Sequence, residues 1–259
     1  MLKTVLMEEM TSPQIKAALE AGYDTVLVVG GAIEQHGKHL PIGMDTMGGY
    51  ESAVYIAEAI GKTLVAPVIR PGCSDHHLSF SGSLSISKTL FQKLCRAYCE
   101  CLCHHGFRNI VLLPSHGGNI EAMEEIVPIL DRELSCRVVW ANVLRDPRGA
   151  EALAPILNKY GVTREEGGVH SGFVETSMLL ATRHGKWVDM AVVERGFVGD
   201  HHERIAEETD GQGHWNIADI SPVGILGDPT KATVEAGQEI LKAFMRVEAD
   251  VVRDALGWN

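Results

Sequence analysis

The sequence predicts an α/β fold in which a mostly parallel β-sheet is covered by helices on both sides. Two patterns carry the prediction. Four short runs rich in Val, Ile and Leu lack clean apolar–polar alternation, as strands buried on both faces do. Helical patterns separate these runs, so strand and helix alternate along the chain. Length agrees, since 259 residues are ample for one continuous core.

The strands are expected at Thr25–Gly30 (TVLVVG), Leu64–Val68 (LVAPV), Asn109–Leu113 (NIVLL) and Arg137–Ala141 (RVVWA). A first helix, Ser12–Ala21, has its start signal in Ser12 followed by Pro13. Two more are expected over Met47–Ile60 and Ser87–His105. In the latter, Ser87 can cap the N-terminus, and Leu90, Phe91, Leu94, Tyr98, Cys101 and Leu102 recur at helical spacing. A fourth covers Asn119–Leu134, with Pro128 expected to kink or break it. The second half is less regular. It holds a helix near Val174–Arg183, a polar stretch at Gly199–Asn216 and a closing helix from Lys231 to Leu256. No repeat, low-complexity tract or linker divides the chain, so residues 1–259 are expected to form a single domain.

Composition narrows the function. Hydrophobic residues make up 45% and charged residues 22%, the balance of an ordinary globular protein. With 23 Lys+Arg against 34 Asp+Glu the net charge is −11, which argues against nucleic acid and anionic membrane surfaces as partners. No apolar run reaches the roughly 18 residues of a membrane span. The N-terminus, MLKTVLMEEMTS, lacks the apolar stretch of a signal peptide, so a cytoplasmic protein is expected. Six cysteines are too few for a disulfide framework of this length. Cys95, Cys99, Cys101 and Cys103 cluster, but helical residues two apart point to nearly opposite sides. Cys99, Cys101 and Cys103 therefore do not converge on one metal, and the group reads as small residues in or beside a core face. The segment Gly30–Gly37 (GGAIEQHG) follows the first strand without a G-x-G-x-x-G pattern. Its Glu34 would repel a pyrophosphate, which argues against a dinucleotide site.

Ligands of open parallel sheets gather beyond the carboxyl ends of the strands. Glu34, His36 and Asp45 follow the first strand, Gly72–His77 (GCSDHH) the second, and Ser115–Asn119 (SHGGN) the third. Gly167–Glu175, with His170 and Glu175, opens a later helix. Singly, each carboxylate or imidazole reads as a solvated side chain, a cap or plain loop. Jointly they place metal-capable groups at one rim from four segments. Extended residues two apart share a side, so Glu34 and His36 can reach one cavity. Imidazole and carboxylate donors without thiolate suit Zn²⁺ or Mn²⁺. Glu34, His36, Asp45, His116 and Glu175 exceed what one open catalytic zinc needs. Two ions sharing one carboxylate use them better, and paired metals are a standard hydrolytic device.

The same segments resemble the creatininase (creatinine amidohydrolase) family. The resemblance rests on GGAIEQHG with Leu40-Pro41 and Asp45, on SHGGN, on His170–Ser177 (HSGFVETS) and on Ser221–Thr233 (SPVGILGDPTKAT). In Gly72–Ser83, Ser74, His77, Phe80 and Gly82 match the family's G-x-S-x-x-H-x-x-F-P-G-T stretch, while Ser81 and Ser83 replace Pro and Thr. It implies a three-layer α/β sandwich, two divalent ions per chain (Zn²⁺ or Mn²⁺) at the strand ends, and a homohexamer. Carried over by position, Glu34 and His116 bind one ion, His36 the other, Asp45 bridges them, and Glu175 completes the second site. His170 touches the substrate and serves as general acid, with His77 as the further catalytic histidine. Ser74, His77, Gly117, Gly118 and His170 are the expected substrate-binding positions.

The implied reaction is hydrolysis of an amide C–N bond, often cyclic, in a small polar molecule, by a hydroxide bridging the ions. Formamide hydrolysis, peptide cleavage and hydrolytic C–C opening of an oxidised inositol are further activities of the family. A non-catalytic small-molecule or metal-binding protein is the alternative outside enzymes. Creatinine-cleaving members carry a Tyr and a metal-binding Glu where Gly117 and Gly118 stand, and Trp-Asp where Glu166-Gly167 stand. Creatinine is therefore expected to be a poor substrate or none. Gly199–Asn216, with His201, His202, His214 and Trp215, reads either as a solvated loop or as a strap supplying the missing aromatic.

Overall fold

Four strands form one all-parallel sheet in the order β2-β1-β3-β4, where β1 is Thr25–Gly30, β2 Thr63–Val65, β3 Asn109–Pro114 and β4 Arg137–Trp140. The computed structural model describes residues 2–210 and 213–258. Register aligns the strand starts, with Thr25 opposite both Thr63 and Asn109, and Asn109 opposite Arg137. The carboxyl ends consequently open along one rim.

The helices are α1 (Ser12–Glu20), α2 (Met44–Ile60), α3 (Lys88–His104), α4 (Ile120–Glu133), α5 (Pro147–Lys159), α6 (Arg164–Gly167), α7 (Phe173–Leu180), α8 (His201–Glu208), α9 (Ile217–Ile220) and α10 (Val234–Leu256). They sort into two layers because successive strand side chains point to opposite faces. Leu27, Val29, Val111 and Leu113 pack with α2, α5, α7 and α10. Val26, Val28, Ile110 and Leu112 pack with α1, α3 and α4. The result is a three-layer sandwich. Each of these fully buried aliphatic side chains contributes roughly 1.5–3 kcal/mol.

Several boundaries differ from expectation for physical reasons. The second strand stops at Val65 because Pro67 offers no N–H, and pairing resumes where Ile69 N–H donates to Val29 O at 2.9 Å. Pro128 does not break α4. It forfeits a single hydrogen bond, while Ala122, Met123, Ile126, Val127 and Leu130 bury one face of the helix. α5, unexpected from its Pro147, Gly149 and Pro155, is capped by Asp146, which accepts from Arg148 N–H, and buries Ile156 and Leu157. α10 starts at Val234, where Thr233 accepts from Ala236 N–H. Cys95 and Cys99 are core residues of α3, and Cys101 is exposed. Among the described residues no helix is long and apolar enough to cross a membrane.

Candidate metal centre

Beyond β1 the chain turns back on itself, and Glu34 N–H donates to Ile42 O at 2.9 Å to close the loop. Glu34 and His36 project from this loop into one buried cluster. Asp45 enters from the first turn of α2, which starts three residues earlier than expected, and its carbonyl accepts from Ser115 Oγ at 2.8 Å. His116 follows β3, and Glu175 sits in the first turn of α7.

His116 Nδ1 lies 3.2 Å from Glu34 Oε1 and 3.5 Å from Asp45 Oδ2. His36 Nε2 lies 3.4 Å from Asp45 Oδ1 and 3.9 Å from Glu175 Oε2. Two triads, Glu34–Asp45–His116 and His36–Asp45–Glu175, thus share Asp45, one carboxylate oxygen facing each imidazole. Donor atoms around one tetrahedral ion at roughly 2.1 Å stand about 3.4 Å apart, which these separations bracket. Glu34 Oε2, His36 Nε2 and Asp45 Oδ2 are buried without a hydrogen-bond partner. Such atoms cost free energy unless a cation takes them. With an imidazole–carboxylate donor set, these residues fit two divalent ions.

The ring orientations are set from behind. His36 Nδ1–H donates to Glu34 O at 3.2 Å, and His116 Nε2–H donates to Cys73 O at 3.0 Å. In both rings the other nitrogen faces the carboxylates, the arrangement that gives a metal-binding imidazole its tautomer.

Electrostatics divide the histidines into two kinds. Burial would lower His36, but Asp45, Glu175 and Glu34 push it up to about 10. His116 is pushed up to about 9 by Glu34 and Asp45 against the same burial. Burial raises Asp45 and lifts Glu175 to about 7. Burial also acts to raise Glu34, but His116, His77 and His170 outweigh it and hold the carboxyl well below its ordinary range. The crowded carboxylates therefore keep protons on His36 and His116, and a bound cation would displace them. His77 and His170 lie on the other side of neutrality. Burial drives His77 down to about 3 and His170 well below the usual imidazole range.

The remaining expected positions fall in different places. His77 Nε2 and His170 Nδ1 each lie 3.6 Å from Glu34 Oε1, at the edge of both triads. Ser74, expected at the substrate, is fully buried, with Oγ 3.2 Å from His116 Nε2, so it braces that ring instead. Gly118, also expected at the substrate, is pressed between Cys73 O and the His116 ring, where a Cβ would collide with both. Gly117 is open, since a Cβ there would meet nothing within 4 Å. Gly167 packs on Leu157, and Gly168 on the backbone of Leu226 and Gly172. Ser171 holds φ 56°, a conformation L residues rarely adopt, and its N–H donates to Glu175 Oε2 at 2.5 Å. Strain of this kind gathers at functional sites, and here it sits between His170 and Glu175.

Three residues escaped the sequence reading. Asn119 stitches three segments, its Oδ1 accepting from Cys73 N–H at 2.9 Å and its Nδ2 donating to Gly30 O and Gly31 O at 3.0 Å. Gln35 lies behind His77 and His170. His76 stacks on Trp215 with ring centroids 4.5 Å apart, and faces the His116 ring at 5.8 Å. The available signals were position inside SHGGN and EQH, and adjacency to His77. Residues 211 and 212 of the polar stretch lie outside the described residues. Of its remainder, His201 and His202 pair with each other and His214 with Asp210, while Trp215 turns toward the centre.

A family model described as creatinine amidohydrolase matches residues 8–252. The chain is 30% identical to a mycofactocin precursor peptide peptidase of Mycolicibacterium smegmatis, over 88% of this chain and 84% of the relative. It is 26% identical to a 3-dehydro-scyllo-inosose hydrolase of Thermotoga maritima, over 97% and 84%. With a creatinine amidohydrolase of Pseudomonas putida the identity is 27%, over 98% of each. Among solved structures, a point variant of creatininase superposes with TM-score 0.77 at 25% identity, covering 97% of this chain and 98% of that one. A creatininase variant described as Zn-Zn type does so with TM-score 0.74 at 24% identity, covering 98% of each chain.

Proposed function

Because this chain belongs to the creatininase family, whose characterised relatives are metal-dependent hydrolases, we propose that it hydrolyses an amide C–N bond of a small polar molecule at a centre of two divalent ions, Zn²⁺ or Mn²⁺. The observation that carries the reading is the position of Asp45, with one oxygen toward His116 and the other toward His36, amid buried polar atoms that have no other partner. When bound, such ions would lower the pKa of a bound water and polarise a carbonyl.

The chain's own residues do the rest. Glu34 and His116 would hold one ion, His36 and Glu175 the other, and Asp45 would face both. His170 belongs to neither of the triads that share Asp45, and it delivers a proton to the leaving nitrogen as general acid. His77, beside His170 at the same Glu34 oxygen, hydrogen-bonds the substrate. The space at Gly117 admits a bulkier molecule than creatinine, and the stacked His76–Trp215 pair offers a flat face to a planar or ring-shaped group. The whole chain acts as one domain, and the exposed apolar side chains of Ile42, Leu78 and Leu84 beside the site loops favour a homo-oligomer, the hexamer being the expected form.

Two of the three relatives are named for amide cleavage, which favours C–N over C–C hydrolysis. The inosose hydrolase makes ring-opening of a cyclic keto-polyol the second reading. The test is elemental analysis of protein purified without chelator, then turnover of a panel with Zn²⁺ and Mn²⁺: a dipeptide amide, a lactam, a hydantoin, a formamide and a keto-inositol. Two ions per chain and turnover of an amide are expected. A stoichiometry that never exceeds one after loading would sink the paired centre. Turnover of the keto-inositol alone would move the reaction to C–C cleavage, and tight binding without turnover would make this a binding protein.

A further inference from the structure

Gln35 stands between Glu34 and His36, but its side chain lies buried behind the cluster rather than in it. Its carboxamide has one allowed orientation. Oε1 accepts from Gly37 N–H at 2.9 Å, and Nε2 donates to Gly224 O at 2.9 Å. A flipped amide would set donor against donor and acceptor against acceptor at these two contacts.

The same Nε2 lies 3.0 Å from His77 Nδ1 and 3.1 Å from His170 Nε2. It has two hydrogens for three neighbours. The main-chain carbonyl of Gln35 decides between them, because His170 Nε2 is 2.9 Å from it and a carbonyl oxygen only accepts. His170 therefore carries its proton on Nε2 and cannot also accept from the amide. The amide hydrogens go to Gly224 O and His77 Nδ1. His77 is left with its proton on Nε2, and both rings turn their remaining nitrogen toward Glu34 Oε1, at 3.6 Å in each case. The two rings, with centroids 4.6 Å apart, thus offer the same point an N–H from His77 and a lone pair from His170.

We propose that Gln35 is a positioning residue that holds His77 and His170 so that they face the reacting centre with opposite hydrogen-bonding character, His77 as donor and His170 as acceptor. His77 Nε2–H is then placed to donate to a substrate carbonyl oxygen or leaving nitrogen. His170 Nδ1 is placed to take a proton before returning it as the general acid. The inference deepens the hydrolytic reading and rests on it for its chemistry, though not for its geometry. Residues that orient active-site groups from behind typically matter by about 10–100-fold.

The test is nitrogen-15 imidazole spectroscopy of the zinc-loaded protein, which reports which ring nitrogen carries hydrogen, with Gln35→Leu and the isosteric Gln35→Glu as variants. In the unsubstituted protein both His77 and His170 should be protonated on Nε2. In Gln35→Glu the carboxylate accepts from His77, so that ring should switch its proton to Nδ1. In Gln35→Leu it should become a mixture. His170 should keep its tautomer in both, because its partner is main chain. Zinc content and KM should hold while kcat on the fastest amide of the panel falls 10-fold or more. A wild-type His77 protonated on Nδ1 overturns the proposal without any variant. So does a switched tautomer with unchanged kcat, or a loss of kcat that merely follows lost zinc. Failure of every panel compound would count against the hydrolytic reading, while the spectra would still decide the tautomers.

Discussion

Asp45 binds the reading together at the scale of single residues, because one of its oxygens lies 3.4 Å from His36 Nε2 and the other 3.5 Å from His116 Nδ1. Asp45→Ala should remove both ions, lowering metal content from two per chain toward none by elemental analysis, with activity lost alongside. The adjacent cations would also lose the charge that screens their repulsion. Retention of both ions would show that Asp45 is no bridge. His170 should behave differently, since neither of the two triads that share Asp45 includes it. His170→Ala is expected to keep both ions and the fold while kcat falls about 10²–10⁴-fold, the usual worth of a general acid–base group. Metal loss in that variant would place His170 among the ligands.

Elements show how packing overrules local signals. α5 carries two prolines and a glycine, yet it forms because Gly149 lets it approach Val143 O and Phe244 of α10 closely. The same contact region buries Glu248 of α10, whose Oε2 accepts from Val143 N–H at 2.9 Å. Burial, with Asp146 adding to it and the Val143 hydrogen bond opposing it, lifts this carboxyl from 4.5 to about 7. The folded protein thus binds a proton that the unfolded chain releases between those values. This contribution to stability is complete below about pH 4.5 and lost as pH rises through about 7. The shift corresponds to roughly 3 kcal/mol. Glu248→Gln keeps an acceptor for Val143 without the ionisation. Relative to wild type, it should gain stability between pH 5 and pH 8 in urea titrations, and an unchanged difference at the two pH values would refute the assignment.

The whole molecule decides which substrates fit. Gly117 leaves space where a stacking side chain would stand, and the aromatic surface near the centre comes from Trp215 on a different segment. Creatinine turnover should therefore stay below a kcat/KM of about 10⁴ M⁻¹s⁻¹, an ordinary enzyme value. A rate at or above that figure would restore the family's namesake activity. For a planar substrate of the panel, Trp215→Ala should raise KM several-fold with little change in kcat, since aromatic stacking is worth about 0.5–1.5 kcal/mol. The segment is anchored for this role where Ser79 Oγ donates to Asn216 Oδ1 at 2.9 Å, and Trp215 packs with Ile217 and Ile220 of α9.

Sequence alone determined the layered architecture and the kinds of atoms at its rim. Strand burial and helical spacing are local periodicities, so TVLVVG and NIVLL were legible as buried strands without any partner in view. Glu34, His36, Asp45, His116 and Glu175 were legible as candidates because parallel topology sends every strand end to the same edge. Only tertiary structure decided what each side chain faces. Ser74 and Gly118 share motifs with the candidate ligands, yet they brace or approach the His116 ring from behind, because loop direction there is set by the Cys73 backbone. Gln35 meets partners 42, 135 and 189 residues away. No periodicity within a segment encodes contacts at such separations, since they exist only once the sheet has brought four loops to one rim.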